Sequence, residues 1–318
     1  MDDTHRSPIS PDVTDTKLLM RCTAPALDKI LGLHCRVLDE GFVRVIDYMG
    51  NDSAIVQATK VSEAGKKKKA SDDRALIRNL MYRRHTTPFE MCEIKLHLRT
   101  TMDVWRQWVR HRTASINEHS TQYSIADNVQ TTPAGRWRVQ TSSTQPGHEA
   151  FLPLEQGQHL SARESQLQKA AREVYEERIA AGVEREQARK DLPLSTYIEA
   201  YWKIDLHNLL HFLHVRMDEN AQSEIRAYAE LIGREIVAKW VPLAWEAFLD
   251  YRQQALLLSR IEAQILTALI ANSPEEARRI AKSAGLLSVG ESGTMTHNRE
   301  RSELESKLRA LGLTPPWN

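Results

Sequence analysis

Residues 88–112, PFEMCEIKLHLRTTMDVWRQWVRHR, contain the change of period that decides the fold class. From Met91 to Arg99, Met91, Glu93, Lys95, His97 and Arg99 fall on one side and Cys92, Ile94, Leu96 and Leu98 on the other. That alternation marks a strand with one buried face, opened by Pro88. From Thr101 the spacing turns helical: Val104, Trp105, Trp108 and Val109 share one arc, with Arg106, Gln107, Arg110 and His111 opposite. Continuing the helix would carry Arg112 into the apolar arc, so it is expected to end there. A strand running into a helix, each with one apolar face, predicts an α+β protein: a small, mainly antiparallel sheet packed by helices, with a helical carboxy-terminal extension.

Upstream, FVRVIDYMG and SAIVQATKV are short runs rich in β-branched residues on either side of Gly50, Asn51 and Asp52, and read as two strands joined by a turn. The run Lys66–Lys69 reads as a solvated loop, with phosphate contact as its functional alternative. SDDRALIRNLMYRR follows as a helix with Ser71 and Asp72 as cap candidates, ending near Arg84. Residues 1–38, with Pro8, Pro11 and Pro25, read as a flexible amino-terminal arm; 39–254 form the main domain and 255–318 the extension. Residues 125–158 form an irregular excursion, and from Ser161 nearly everything is expected to be helical, YWKIDLHNLLHFLHVRM included.

Composition excludes several classes. With 43 Lys+Arg against 42 Asp+Glu, the net charge of +1 gives no global field for nucleic acid or an anionic membrane, so anion recognition must come from local clusters. Three cysteines, Cys22, Cys35 and Cys92, without a CxxC pair, argue for a reducing compartment and against a cysteine-built metal site. No apolar targeting run opens the chain and no stretch is long enough to span a bilayer, so a cytoplasmic protein is expected.

Two clusters could carry chemistry. RHRTASINEHSTQYS, residues 110–124, gathers guanidinium, imidazole, hydroxyl, amide and carboxylate groups directly after the tryptophan helix, a composition suited to an anion or a cofactor. Further on, Leu206, Leu209, Leu210, Leu213 and Met217 form an apolar stripe, flanked on one side by His207, His211 and His214 and on the other by Asp205, Phe212 and Arg216. The histidine spacing admits a metal, although no adjacent glutamate or cysteine supports one. Groups on opposite flanks of one helix point to two pockets, and hence to an oligomer. The competing readings are a nucleic-acid-binding module using Lys66–Lys69 and Arg110–Arg112, which inward-facing tryptophans would disfavour, and a metal hydrolase on the His207 helix.

RHRTASINEHSTQYS resembles the signature RHRxxSxNExSxRY of the flavin-dependent thymidylate synthases at Arg110, His111, Arg112, Ser115, Asn117, Glu118, Ser120 and Tyr123, with Gln122 where that family usually has arginine. GFVRVIDYMGNDSAIVQATKVS, RRHTTPFE, RQWVRHR, ARKDLP and YWKIDLHNLLHFLHVR extend the likeness over roughly residues 39–254. The resemblance implies conversion of dUMP to dTMP, with FAD as cofactor, NADPH and methylenetetrahydrofolate as co-substrates, and a homotetramer with no nucleic-acid, membrane or metal partner. It implies flavin contacts for Ser62, His85, Thr87, Arg110, His111, Arg112, Glu118, His207 and His211, and nucleotide contacts for Arg106, Gln107, Ser120, Gln122, Arg189 and Arg216. Arg216 would hold and polarise the uracil, and Ser120 would bind rather than attack, since an unassisted hydroxyl is a poor nucleophile. Glutamine at 122 keeps hydrogen bonds but not charge, which implies weaker dUMP affinity or compensation by a neighbouring base.

Overall fold

The computed structural model describes residues 21–60, 71–118, 129–139, 150–288 and 294–317. The run Lys66–Lys69 and the residues Ser62, Ser120, Gln122 and Tyr123 lie outside them. Among the described residues, β1 (Cys35–Val37), β2 (Gly41–Met49), β3 (Glu93–Thr101), β4 (Ser115–Glu118) and β5 (Tyr197–Asp205) build one antiparallel sheet in the order β1-β2-β3-β5-β4. The α+β expectation is met.

The alternation read in β3 is the alternation found: Ile94, Leu96 and Leu98 are fully buried. Pairing sets Ile94 opposite Ile204, Leu96 opposite Trp202 and Leu98 opposite Ala200, so a single apolar surface runs across the central strands. The other face is polar, with His97 bridging Arg44 at 2.7 Å and Glu199 at 2.9 Å. In β2 the register shifts between Val45 and Asp47, a bulge after which the inward position passes from odd to even residues and Tyr48 is buried.

The helix Met102–Trp108 turns back onto the apolar face and ends four residues before Arg112. Trp108 is fully buried, its ring 5.2 Å from Trp202, 4.8 Å from Phe212 and 5.7 Å from Tyr228. Trp105 is buried beside it, so both tryptophans face inward and offer no surface for stacking bases. Tyr228, from the helix Ser223–Leu231, donates its hydroxyl to the Arg99 carbonyl at 2.7 Å. That approach requires glycine at 41, where a Cβ would lie 1.9 Å from the Tyr228 oxygen.

Four local expectations are corrected. The segment expected as a second strand from Ser53 is the helix Asp52–Lys60. Asn51 Oδ1 accepts the Ala54 N–H at 3.2 Å, and the Asp52 carboxylate accepts the Leu243 and Ala244 N–H groups at 2.9 and 3.0 Å. The Asn51 cap, the tie of Asp52 to the first turn of the helix Pro242–Phe248 and the burial of Ile55 and Val56 outweigh the strand preference of β-branched residues. Tyr197–Asp205, whose latter part was expected as helix, is β5: Ile198, Ala200, Trp202 and Ile204 point inward, and the period changes only at Asp205, which caps the helix Leu206–Arg216 by accepting the Asn208 N–H at 2.9 Å. Pro88 belongs to the short helix Thr87–Glu90, and β3 starts after it, at Glu93. Residues 24–37, placed in the flexible arm, bury Ala24, Leu27 and Val37 in the main core.

The extension is helical as expected. Arg260–Ile270, Pro274–Ser283 and Arg299–Ala310 enclose a separate core of Ile265, Ala277, Leu286, Leu304, Leu308 and their neighbours. Ser259 and Glu262 form a capping box, and Lys307 donates to the buried Glu262 carboxylate at 2.7 Å. Burial works to raise the Glu262 pKa, but the Lys307 ammonium and the Ser259 hydrogen bonds more than offset it and hold the group below its ordinary value.

Candidate functional site

The helix Leu206–Arg216 is held by its apolar stripe, with Leu206, Leu209, Leu210 and Leu213 buried. Anchored so, it separates two clefts. One, of about 470 Å³, is lined by Arg110, His111, Arg112 and Thr113 from the turn after the tryptophan helix, and by Val215 and Arg216 from the helix end. The other, of about 350 Å³, is lined by His85 and Thr86 on one side, His207 on the other, and an apolar floor including Phe89 and Phe248. Asn208 and His211 line both. Two clefts flank the helix within the single chain, Arg216 lining one and His207 the other, while His211 lines both and His214 neither. Among the described residues neither cleft has an aspartate or glutamate in its lining.

Chain positions 105 residues apart meet in the first cleft: Arg216 Nε donates to His111 Nε2 at 3.1 Å, and Arg216 Nη2 donates to the Gln107 carbonyl at 3.2 Å. Arginine has only donors, so His111 Nε2 accepts and the ring proton sits on Nδ1. The His111 ring packs edge-on against Phe212 at 4.9 Å. Burial first, then the neighbouring charges of Arg216 and His211, push the His111 pKa down to about 4. Burial, followed by the nearby Arg110 guanidinium, also lowers Arg216. Arg110 and Arg216, two like charges held together with no carboxylate among the described lining residues, make a site suited to an anion.

His111 gives the fold a pH dependence. Its folded pKa lies below the unfolded value, so the unfolded chain binds more protons in between, and the contribution is fully present above about pH 6.5 and lost as pH falls towards 4. His111→Gln, which keeps an acceptor for Arg216 without a titrating ring, is expected to flatten stability across that window in urea melts at stepped pH. An unchanged slope would show that His111 is not its source.

The Gln107 side chain donates to Gln222, which in turn donates to Asp103 at 3.3 Å, fixing the orientation of the Gln107 amide. Glu118, at the end of edge strand β4, accepts from Trp105 Nε1 at 2.9 Å. Thr87, Arg106, Glu118 and Arg189 line neither cleft; Arg106 and Arg189 are exposed on the helices that carry them. Sequence reasoning missed Asn208, Arg84 and Arg252, which also line the second cleft. Asn208 stood between two singled-out histidines, and its place beside the capping Asp205 was the available signal. Among the described residues no group of three or more histidine, cysteine or acidic side chains is placed to hold a metal ion, and no helix is long and apolar enough to cross a membrane.

The sequence model of the thymidylate synthase complementing protein family matches residues 44–243. The chain is 47% identical to a flavin-dependent thymidylate synthase of Wolbachia pipientis wMel, over 79% of this chain and 88% of that one. It is 44% identical to the protein of the same name from Gluconobacter oxydans (strain 621H), over 80% and 85%. Among solved structures, a UMP/dUMP methylase PolB from Streptomyces cacaoi bound with 5-Br UMP shares 29% identity at a TM-score of 0.60, over 68% of this chain and 96% of that one. Fold and comparisons together define a methyltransferase. This chain belongs to the flavin-dependent thymidylate synthase family.

Proposed function

We propose that the chain converts dUMP to dTMP, taking the methylene group from methylenetetrahydrofolate and reducing equivalents from NADPH through bound FAD. The observation that carries this reading is the cleft, with no carboxylate among its described lining residues, in which Arg216 is clamped between His111 and the Gln107 carbonyl, beside Arg110 and Arg112. Its donor set fits a flavin dinucleotide and a nucleotide monophosphate, because guanidinium groups stay charged and bind phosphate oxygens bidentately. His85, His207 and His211, which resemble flavin-site positions, line the second cleft. The names of the relatives and the nucleotide in the Streptomyces cacaoi structure point the same way.

Bound flavin would supply the redox step. The chain's own residues then have an electrostatic task. Arg216, held by two fixed acceptors, stabilises negative charge developing on the uracil carbonyl oxygens without having to reorganise. Arg110 and Arg112 meet phosphate, and neutral His111 sets the direction of the Arg216 guanidinium.

No protein nucleophile is invoked. Cys92 is fully buried and its thiol is pushed up to about 12, by burial first and then by Asp52 and Cys22. A thiol with so little thiolate at neutral pH does not attack uracil. Ser120, Ser62 and Gln122 complete the proposed nucleotide and flavin contacts from outside the described residues, together with Thr87, Arg106, Gln107, Glu118 and Arg189. The family resemblance supports a homotetramer with sites at subunit interfaces, and the cysteine usage a cytoplasmic location. Residues 39–254 would form the catalytic unit and 255–318 an appended helical one.

The deciding measurement is anaerobic absorbance. Purified protein should carry flavin, bleach with NADPH, and re-oxidise when dUMP and methylenetetrahydrofolate are added together. Protein that takes up no FAD would refute the proposal.

A further inference from the structure

The second cleft contains two guanidinium groups that the resemblance leaves without a role. Arg84 has φ +58°, the left-handed region, at the end of the helix Ser71–Tyr82. Its N–H bonds the Met81 carbonyl at 3.2 Å and the next N–H, of His85, bonds the Leu80 carbonyl at 3.0 Å. This is a Schellman turn whose left-handed position ordinarily goes to glycine. Arg252 lies in the π-helical turn Leu249–Gln253, a second backbone irregularity of a kind often found at functional sites. Both line the same cleft, and neither has a hydrogen-bond or ion-pair partner among the described residues. Burial first, and then the charge of Arg84, lowers the Arg252 pKa, so the two groups repel each other across the cleft.

Two strained or irregular turns that each deliver an unneutralised guanidinium to one cleft call for an oxyanion there. The apolar floor of Phe89 and Phe248 suits a planar body attached to that anion. In the first cleft Arg110 and Arg112 already serve phosphate and Arg216 the uracil ring. Resting on the function proposed above, we infer that Arg84 and Arg252 form a carboxylate clamp for the glutamate tail of the folate co-substrate, and that the clamp favours polyglutamylated folate.

The test is isothermal titration of FAD-loaded enzyme with tetrahydrofolate as its mono- and triglutamate. The wild type should prefer the triglutamate by about tenfold, as expected for charge-assisted hydrogen bonds. Arg84→Gly and Arg252→Gln should each erase that preference, while FAD and dUMP affinities hold. The first variant folds without difficulty, since glycine suits the turn, and its ligand-free Tm should rise by about 2 °C. Lower folate affinity with higher stability separates a clamp from a merely structural role. A triglutamate preference that survives both variants, or one absent from the wild type, overturns the clamp alone, as does loss of FAD affinity in place of folate affinity. A wild type that takes up neither FAD nor dUMP overturns the functional reading, and the clamp with it.

Discussion

Arg216→Ala is expected to cut dTMP formation by about 10²–10³-fold, the typical cost of removing one preorganised charge-stabilising donor, while FAD stays bound. The wild-type guanidinium is fixed at two atoms, Nε on His111 and Nη2 on the Gln107 carbonyl. Alanine removes the charge and leaves both acceptors without their donor. Arg216→Lys keeps the charge, but a single ammonium cannot reproduce the planar two-point grip, so its activity should fall between wild type and alanine. His111 offers an independent readout. Since Arg216 is the second cause of its depressed pKa, the imidazole should titrate at higher pH in the alanine variant, measurable by NMR. Undiminished turnover in Arg216→Ala would refute the assigned role.

Trp108→Ala should destabilise the main domain by about 3–5 kcal/mol, the range for emptying a buried aromatic site. Trp108 is fully buried among Trp105, Trp202, Phe212 and Tyr228, so sheet, tryptophan helix and histidine helix all lose a common contact. Its indole N–H is buried without a partner among the described residues. Trp108→Phe removes that unsatisfied donor along with one ring and should cost markedly less. The damage should reach the site: Phe212 lies against Trp108 at 4.8 Å and against His111 at 4.9 Å. Urea denaturation gives the stability term. A loss for the alanine variant no larger than that for phenylalanine would show that the ring packing does not hold the core together.

The parts of the fold legible in the sequence were those whose period was uninterrupted. β3 and the tryptophan helix announced themselves because nine consecutive residues, Met91 to Arg99, alternate before the period changes, and eight more then fit one helix. β5 was hidden because it passes into the histidine helix with no turn residue between them, and the strong leucine stripe claimed the strand's last residues. The helix after Asn51 was hidden because part of what holds it is distant: Asp52 is tied to the first turn of the helix Pro242–Phe248 through Leu243 and Ala244, 191 and 192 positions away. In the site, Arg110–Arg112 stood out by density and Arg216 by its flank of the leucine stripe, but its role came only through resemblance, since nothing local indicates that it meets His111. Arg84 could not have been found by pattern, because a sequence does not mark a non-glycine residue in a left-handed turn.

The bulge in β2 reaches beyond the sheet. By turning Tyr48 inward, the single extra residue at Ile46 gives the chain's beginning a mooring: the Tyr48 hydroxyl accepts the Ala24 N–H and donates to Asp28, both at 2.6 Å, and Arg21 bonds the Tyr48 carbonyl at 2.9 Å. Deleting Ile46 would leave a straighter strand with Tyr48 on the polar side, and residues 21–28 would lose their tether. A residue that adds nothing to the ladder thus decides whether the amino-terminal segment belongs to the domain.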